Sequence, residues 1–166
     1  MSESPDFEGI LRSLVESNVK FILIGGLAMI AQGSANLTTD IDCLYSRDPA
    51  NIERIVQALR AIHPKLRTPR EPVPISWDSE FFKNVLNMTL STDMGPVDLL
   101  AEAPGVQGFE ELWARSQEIP LFGLPVRVAT VDDLIKMKLA TGRPKDAQHA
   151  MLLQALKKIL TEGTPE

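Results

Sequence analysis

The stretch Phe21-Ile22-Leu23-Ile24-Gly25-Gly26-Leu27-Ala28, followed by Thr39-Asp40-Ile41-Asp42-Cys43-Leu44-Tyr45, decides how this chain reads. Lys20 to Ile24 is a short apolar run ending at two glycines, the pattern of a buried strand. Leu27 to Gln32 reads as a helix entered directly from them. Glycine lets the backbone approach a ligand closely, and a helix N-terminus points free N–H groups at it, so Gly25 and Gly26 are candidates for a phosphate cradle. A plain tight turn at positive φ is the bland alternative. Thr39 to Tyr45 alternates and reads as a strand. Residues two apart share a face there, so the carboxylates of Asp40 and Asp42 project together. Adjacent carboxylates raise one another's pKa unless a cation lies between them, and Mg²⁺ favours such oxygen ligands alongside substrate phosphates. Solvated acids on a strand face give the same pattern.

Outward from this segment, helices and strands mix. Phe7 to Val15 carries apolar residues at helical spacing, with Ser4 and Pro5 suited to its cap and first turn. Asp48-Pro49 opens a helix striped by Ile52, Ile55, Val56, Leu59 and Ile62. The proline-rich stretch from His63 to Trp77 reads as a loop with a short strand. Strands are expected at Val85–Leu90 and Val97–Leu100, joined by a turn at Asp93-Met94-Gly95-Pro96. Phe109 to Arg115 reads as a short helix, and Ile119 to Val128 as a hairpin bent at Phe122-Gly123. Thr130 and Asp133 form a capping-box-like start to a helix reaching about Thr141, and a last helix follows Pro144 to about Leu160. A sheet flanked by helices, with a C-terminal helical segment, is the natural α/β architecture.

Two further features carry chemistry. Asp98 sits inside the apolar run Val97-Asp98-Leu99-Leu100, where an acid is costly to bury unless paired or metal-bound. An edge-strand residue facing solvent is the alternative. Were its strand to lie beside that of Asp40 and Asp42, three carboxylates would converge on a point able to hold divalent ions and position a triphosphate. Gly142-Arg143-Pro144-Lys145-Asp146 then places two cations between the last two helices, where they reach phosphates or simply, with Lys138, complement a helix end. His63 and His149 lack cysteine partners for a zinc site. Cys43 reads as a small buried residue rather than a nucleophile, and Trp77, Phe81, Phe82 and Trp113 as core.

The 166 residues fit one domain, expected to have flexible ends at about 1–4 and 161–166, and the apolar and charged shares, 44% and 23%, are those of a globular protein. A single cysteine excludes an internal disulfide framework. The acidic start lacks a signal-peptide pattern, and the most apolar run is too short to span a bilayer, so a cytoplasmic location without membrane attachment is expected. A net charge of −5 argues against a broad electrostatic grip on nucleic acid, while leaving room for a local basic patch.

In this order the parts resemble the nucleotidyltransferase superfamily. Ile24-Gly25-Gly26-Leu27-Ala28, then Gly33, then Thr38-Thr39-Asp40-Ile41-Asp42 is similar to its first motif, and Val97-Asp98-Leu99-Leu100 to its third-carboxylate strand. Asp133-Leu134 through Lys136, Lys138 and Arg143-Pro144-Lys145-Asp146 resembles the branch of small type IV abortive-infection toxin-like enzymes and their uncharacterised relatives. The resemblance runs from about Phe21 to Gln148 and is loose in the middle. It implies Mg²⁺-dependent transfer of a nucleoside monophosphate from an NTP, ATP among the candidates, to an acceptor hydroxyl on RNA or protein. Asp40, Asp42 and Asp98 would bind the metal and carry catalysis. Gly25, Gly26, Thr38, Lys138, Arg143 and Lys145 would contact the nucleotide. Four residues before the first aspartate the branch usually carries arginine, and this chain has Asn36. That departure motivates a competing reading, a weakly active or inactive nucleotide-binding or partner-binding relative such as a toxin–antitoxin component.

Overall fold

A computed structural model describes residues 4–163, and one seven-stranded mixed sheet runs through it. Its strands are β1 (Phe21–Ile24), β2 (Ile41–Tyr45), β3 (Lys65–Leu66), β4 (Met88–Thr92), β5 (Gly95–Leu100), β6 (Gln117–Leu121) and β7 (Leu124–Val128), in the order β3-β4-β5-β2-β1-β7-β6. Pairings are antiparallel except β1 with β7 and β2 with β5. All four residues of β1 are buried, so the centre of the sheet is covered on both faces, as its unbroken apolar run requires.

The helices are α1 (Phe7–Glu16), α2 (Gly25–Ala31), α3 (Pro49–Arg60), α4 (Ser79–Asn84), α5 (Phe109–Arg115), α6 (Val131–Thr141) and α7 (Pro144–Glu162). Helix α1 packs against α3 and β7, while α2 packs on β1, β2 and α6. The cap of α1 is Asp6 rather than Ser4 and Pro5: its carboxylate accepts from the Gly9 amide at 2.8 Å, the stronger N-terminal arrangement for a side chain one residue from the helix. Asp48 and Thr130 cap α3 and α6, as their sequence spacing indicates. Buried Asn51 ties α3 to the sheet, accepting from the Lys20 amide at 2.7 Å and donating to the carbonyls of Lys20 and Ser46.

Two local expectations change. The strand expected from Val85 begins at Met88, because Asp78 caps the short helix α4 just upstream, accepting from the Phe81 amide at 3.1 Å. That helix delivers Phe82 to the core, where it meets Tyr45 and Trp77 edge to face. The strand expected from Thr39 begins at Ile41, so Asp40 stands just before it. Of the ends expected to be flexible, residues 1–3 and 164–166 lie outside the described residues, while Thr161 and Glu162 form the last turn of α7. No described helix is long and apolar enough to cross a membrane.

Candidate active site

The cross-strand register brings the acids together. Asp42 on β2 lies opposite Asp98 on β5, and β5 is an interior strand, not an edge. Asp40 joins them from the end of the preceding loop, and one carboxylate oxygen of each lies within 4.8 Å of the others. Three oxygen donors so close repel one another when charged, and hard cations with oxygen preference suit this set. The protonation of Asp42 registers that demand. Burial, a hydrogen bond with Asp98, and the charges of Asp98 and Asp40 push its pKa up to about 7, with Lys138 opposing them. The donor chemistry therefore fits Mg²⁺.

Gly25 makes this convergence sterically feasible. It adopts φ +72°, and a Cβ there would collide with the Asp42 carboxylate, lying 2.9 Å from its Cγ. The positive φ bears out the tight turn, and the close approach seen at this glycine is to the Asp42 side chain. Gly26 is similarly constrained, since its Cβ would meet Thr38 Oγ1 at 2.7 Å. Thr38 in turn donates to the Asp40 carbonyl at 3.2 Å, bracing the loop that carries the first acid. Asn36 Nδ2 donates to the Gly26 carbonyl at 3.2 Å, so this residue braces the glycine turn from behind.

A cleft of about 380 Å³ opens over the acids. Gly25, Gly26, Thr38, Asp40, Asp42, Asp98, Lys138, Arg143 and Lys145, the residues singled out in the sequence, all border it. Leu100, two residues beyond Asp98 on β5, joins Leu134 and Met137 of α6 as the apolar part of its lining. The cations are organised by Asp146, which is buried at the start of α7 and accepts from Lys138 Nζ at 3.2 Å and Arg143 Nε at 2.6 Å, and from Thr141 Oγ1. Burial alone would raise the Asp146 pKa, but these hydrogen bonds outweigh it and hold the carboxyl near 2. Lys138 is thereby fixed at the cleft, whereas Lys136 turns towards Asp133, 3.9 Å away.

Two residues near the acids and their cleft escaped the sequence reading. His149 borders the cleft with its Nδ1 buried and unpartnered, and its pKa is lowered by burial and by Lys138 and Lys145. Its spacing of four from Lys145 on a helix was the available signal. Arg67, just past β3, reaches across the sheet to place Nη2 2.6 Å from Asp98 and 3.8 Å from Asp40. Its only sequence signal is weak: residues 54–70 carry Arg54, Arg60, Lys65, Arg67 and Arg70 without an acid. Cys43 is fully buried, as expected, and its thiol pKa is pushed up by burial.

Solved structures share this fold. The lincosamide antibiotic adenylyltransferase LnuA, in its lincomycin-bound form, aligns with a TM-score of 0.63 at 15% identity, covering 93% of this chain and 99% of its own. The enzyme ANT(2″)-Ia, in complex with adenylyl-2″-tobramycin, aligns with a TM-score of 0.58 at 15% identity, covering 92% and 86%. A Thermotoga maritima protein described as a nucleotidyltransferase aligns at 0.54 and 17% identity, covering 94% and 93%. No curated protein matches the sequence. Residues 10–159 match the family described as nucleotidyltransferase of unknown function (DUF6036), so this chain, with its mixed sheet and converging acids, belongs to that nucleotidyltransferase family.

Proposed function

We propose that this chain is a Mg²⁺-dependent nucleotidyltransferase that moves a nucleoside monophosphate from an NTP to an acceptor hydroxyl. The observation that carries the reading is the convergence of Asp40, Asp42 and Asp98 beside the Gly25-Gly26 turn. Those three carboxylates would hold Mg²⁺, which when bound neutralises phosphate charge and orients the triphosphate. Gly25, Gly26 and Thr38 leave the backbone open to the triphosphate, while Lys138, Arg143 and Lys145 supply positive charge from the far side of the cleft. The acceptor oxygen forms a bond to the α-phosphorus, the bond from that phosphorus to the bridging oxygen breaks, and pyrophosphate leaves. Asp98 takes the hydroxyl proton. Such chemistry is mostly positioning and charge neutralisation, which this set of residues is built to supply.

The test is thermal unfolding with and without Mg²⁺ and each NTP, on wild type and on Asp40→Ala/Asp42→Ala. A ligand that binds only the folded state raises the midpoint, by several degrees for binding worth about 2–3 kcal/mol at saturation. The expected result is a rise in wild type that the double variant loses. An equal rise in both proteins would overturn the reading. A rise in wild type with no transfer to any acceptor would favour the weakly active, nucleotide-binding relative.

A further inference from the structure

Helix α7 is apolar on two opposite sides. Its inward side carries Asp146, Ala150 and Leu153, which are buried, and the helix packs along α6. At about 100° per residue, Met151, Leu152, Ala155 and Ile159 fall around the direction opposite to that contact. Met151 is 69% exposed, Leu152 50% and Ile159 46%, and Ala155 is exposed between them. Helices that are apolar all round are covered all round. The fold of one chain covers a single side of α7. The bare side is also symmetric in chemistry about Ala155. Leu152 lies three residues before it and Ile159 four after, Met151 four before and Lys158 three after, and Gln148 and Glu162 seven to either side.

We propose that this side of α7 is a dimer seam, and that its occupant is α7 of a second copy of the chain, antiparallel, with the two Ala155 residues at the two-fold axis. In such a pair, a residue before the centre meets the residue equally far beyond it on the other copy, and every contact occurs twice. Leu152 packs on Ile159, and the Lys158 stem covers Met151 while its ammonium stays in water. Gln148 donates to the Glu162 carboxylate at each end of the seam. Alanine at the centre lets the two helices approach closely. A parallel pair would instead set Lys158 on Lys158 and Glu162 on Glu162, so charge selects the antiparallel one. Charge also selects this face for self-association. Two copies of a chain at −5 repel one another, whereas exposed α7 carries Lys145, Lys157 and Lys158 against Glu162. A lipid surface fits less well, because Glu162 puts a carboxylate on the line of the apolar side, where lipid-binding helices are apolar. The seam is one helix wide, against about 20–30 residues a side in a standard interface, so a dissociation constant on the order of tens of micromolar is expected.

The experiment is sedimentation of the full chain over about 1 to 300 µM, a range that brackets that constant. Wild type is expected to pass from monomer to dimer. Ala155→Glu, which opposes two carboxylates across the axis, is expected to stay monomeric throughout. It keeps the wild-type unfolding midpoint within about 2 °C at low concentration, since the position is exposed and glutamate suits a helix. Gln148→Glu meets Glu162 of the other copy and should weaken the dimer about 3- to 10-fold; adding Glu162→Lys should restore it, a rescue specific to the antiparallel register. Phe122→Glu, at an exposed apolar residue of the β6–β7 hairpin tip, should dimerise as wild type does. A wild type that is monomeric at every concentration, or a dimer indifferent to Ala155→Glu, would overturn the proposal. Failure of Glu162→Lys to rescue Gln148→Glu would overturn the antiparallel seam. Ala155-dependent sedimentation of wild type with phosphatidylcholine–phosphatidylglycerol vesicles, without a dimer in their absence, would assign the face to a lipid surface instead.

Discussion

Replacing Gly25 with alanine separates what the glycine does for the backbone from what it does for the acids. Its φ of +72° is one an L-residue occupies at a cost of about 1–2 kcal/mol. Gly123, at the tip of the hairpin, has φ +75° but open space where a Cβ would go. Gly123→Ala therefore carries the backbone cost alone. For a chain of this length, about 2–4 °C of midpoint accompanies each kcal/mol, so Gly123→Ala should lower the midpoint by roughly 2–8 °C. Gly25→Ala adds a collision with the Asp42 carboxylate, whose Cγ would lie 2.9 Å from the new carbon. Asp42 must swing out of line with Asp98, and the metal set is dismantled. Without ligand, both variants unfold below wild type. With Mg²⁺ and NTP, Gly123→Ala should recover the full wild-type rise and Gly25→Ala none of it. A full rise in Gly25→Ala would refute the claim that close packing of this glycine on Asp42 shapes the site.

The titration of Asp42 gives a second expectation. The unfolded carboxyl releases its proton near 3.8 and the folded one near 7, so the folded state holds the extra proton between them. Stability of the metal-free protein from this group is full below about pH 4 and is lost as pH rises through 7, by up to about 1.4 kcal/mol per unit. Mg²⁺ should therefore stabilise little at pH 5 and most above 7, as read by urea unfolding at fixed ionic strength; a Mg²⁺ effect constant across that range would count against the metal set. Asp146→Ala strands Lys138, whose side chain is only 17% exposed, without its carboxylate. Breaking such a pair is expected to cost about 3 kcal/mol, measured by denaturant unfolding, and to shrink the Mg²⁺–NTP rise as Lys138 loses its place. For the wild type, the depressed Asp146 pKa sets the opposite pH sign: its contribution is present above about 4 and fades as pH falls towards 2.

What the sequence reveals about this site follows the range of the forces involved. Gly25-Gly26, Asp42 and Asp98 stood out because each lies in or at the end of an element whose pattern is local, while Asp40 stood out by its spacing of two from Asp42 although it precedes the strand. Once β2 and β5 pair, register alone brings Asp42 opposite Asp98. The short helix α4 escaped because six residues are too few for a periodic stripe, although Asp78 three residues before Phe81 was a usable cap signal. Arg67 escaped for a different reason. Its partner Asp98 is 31 residues away and two strands across, and nothing near Arg67 in sequence distinguishes it from Arg60 or Arg70. Asn36 was legible as a departure from pattern but not in its role, since bracing the Gly26 carbonyl depends on how the following loop folds back.

The two cation systems flanking the acids differ in how they are held, and that difference bears on the order of events. Lys138 is fixed by Asp146, a carboxylate outside the metal set, so metal binding leaves it in place. Arg67 is held partly by Asp98 itself, a member of that set. When a divalent ion claims the Asp98 oxygens, Arg67 keeps its anchor on the Leu90 carbonyl and loses its ionic partner. Its guanidinium is then a charge-assisted donor in want of an anion. The charge of Lys138 is thus in place with or without a metal, whereas Arg67 would gain free positive charge only with one. In Arg67→Gln, Mg²⁺ should accordingly act at lower concentration, because no side-chain cation competes with it for Asp98, as read by the dependence of the unfolding midpoint on Mg²⁺. The same Mg²⁺ dependence in wild type and Arg67→Gln would show that the arginine does not compete with the metal for Asp98.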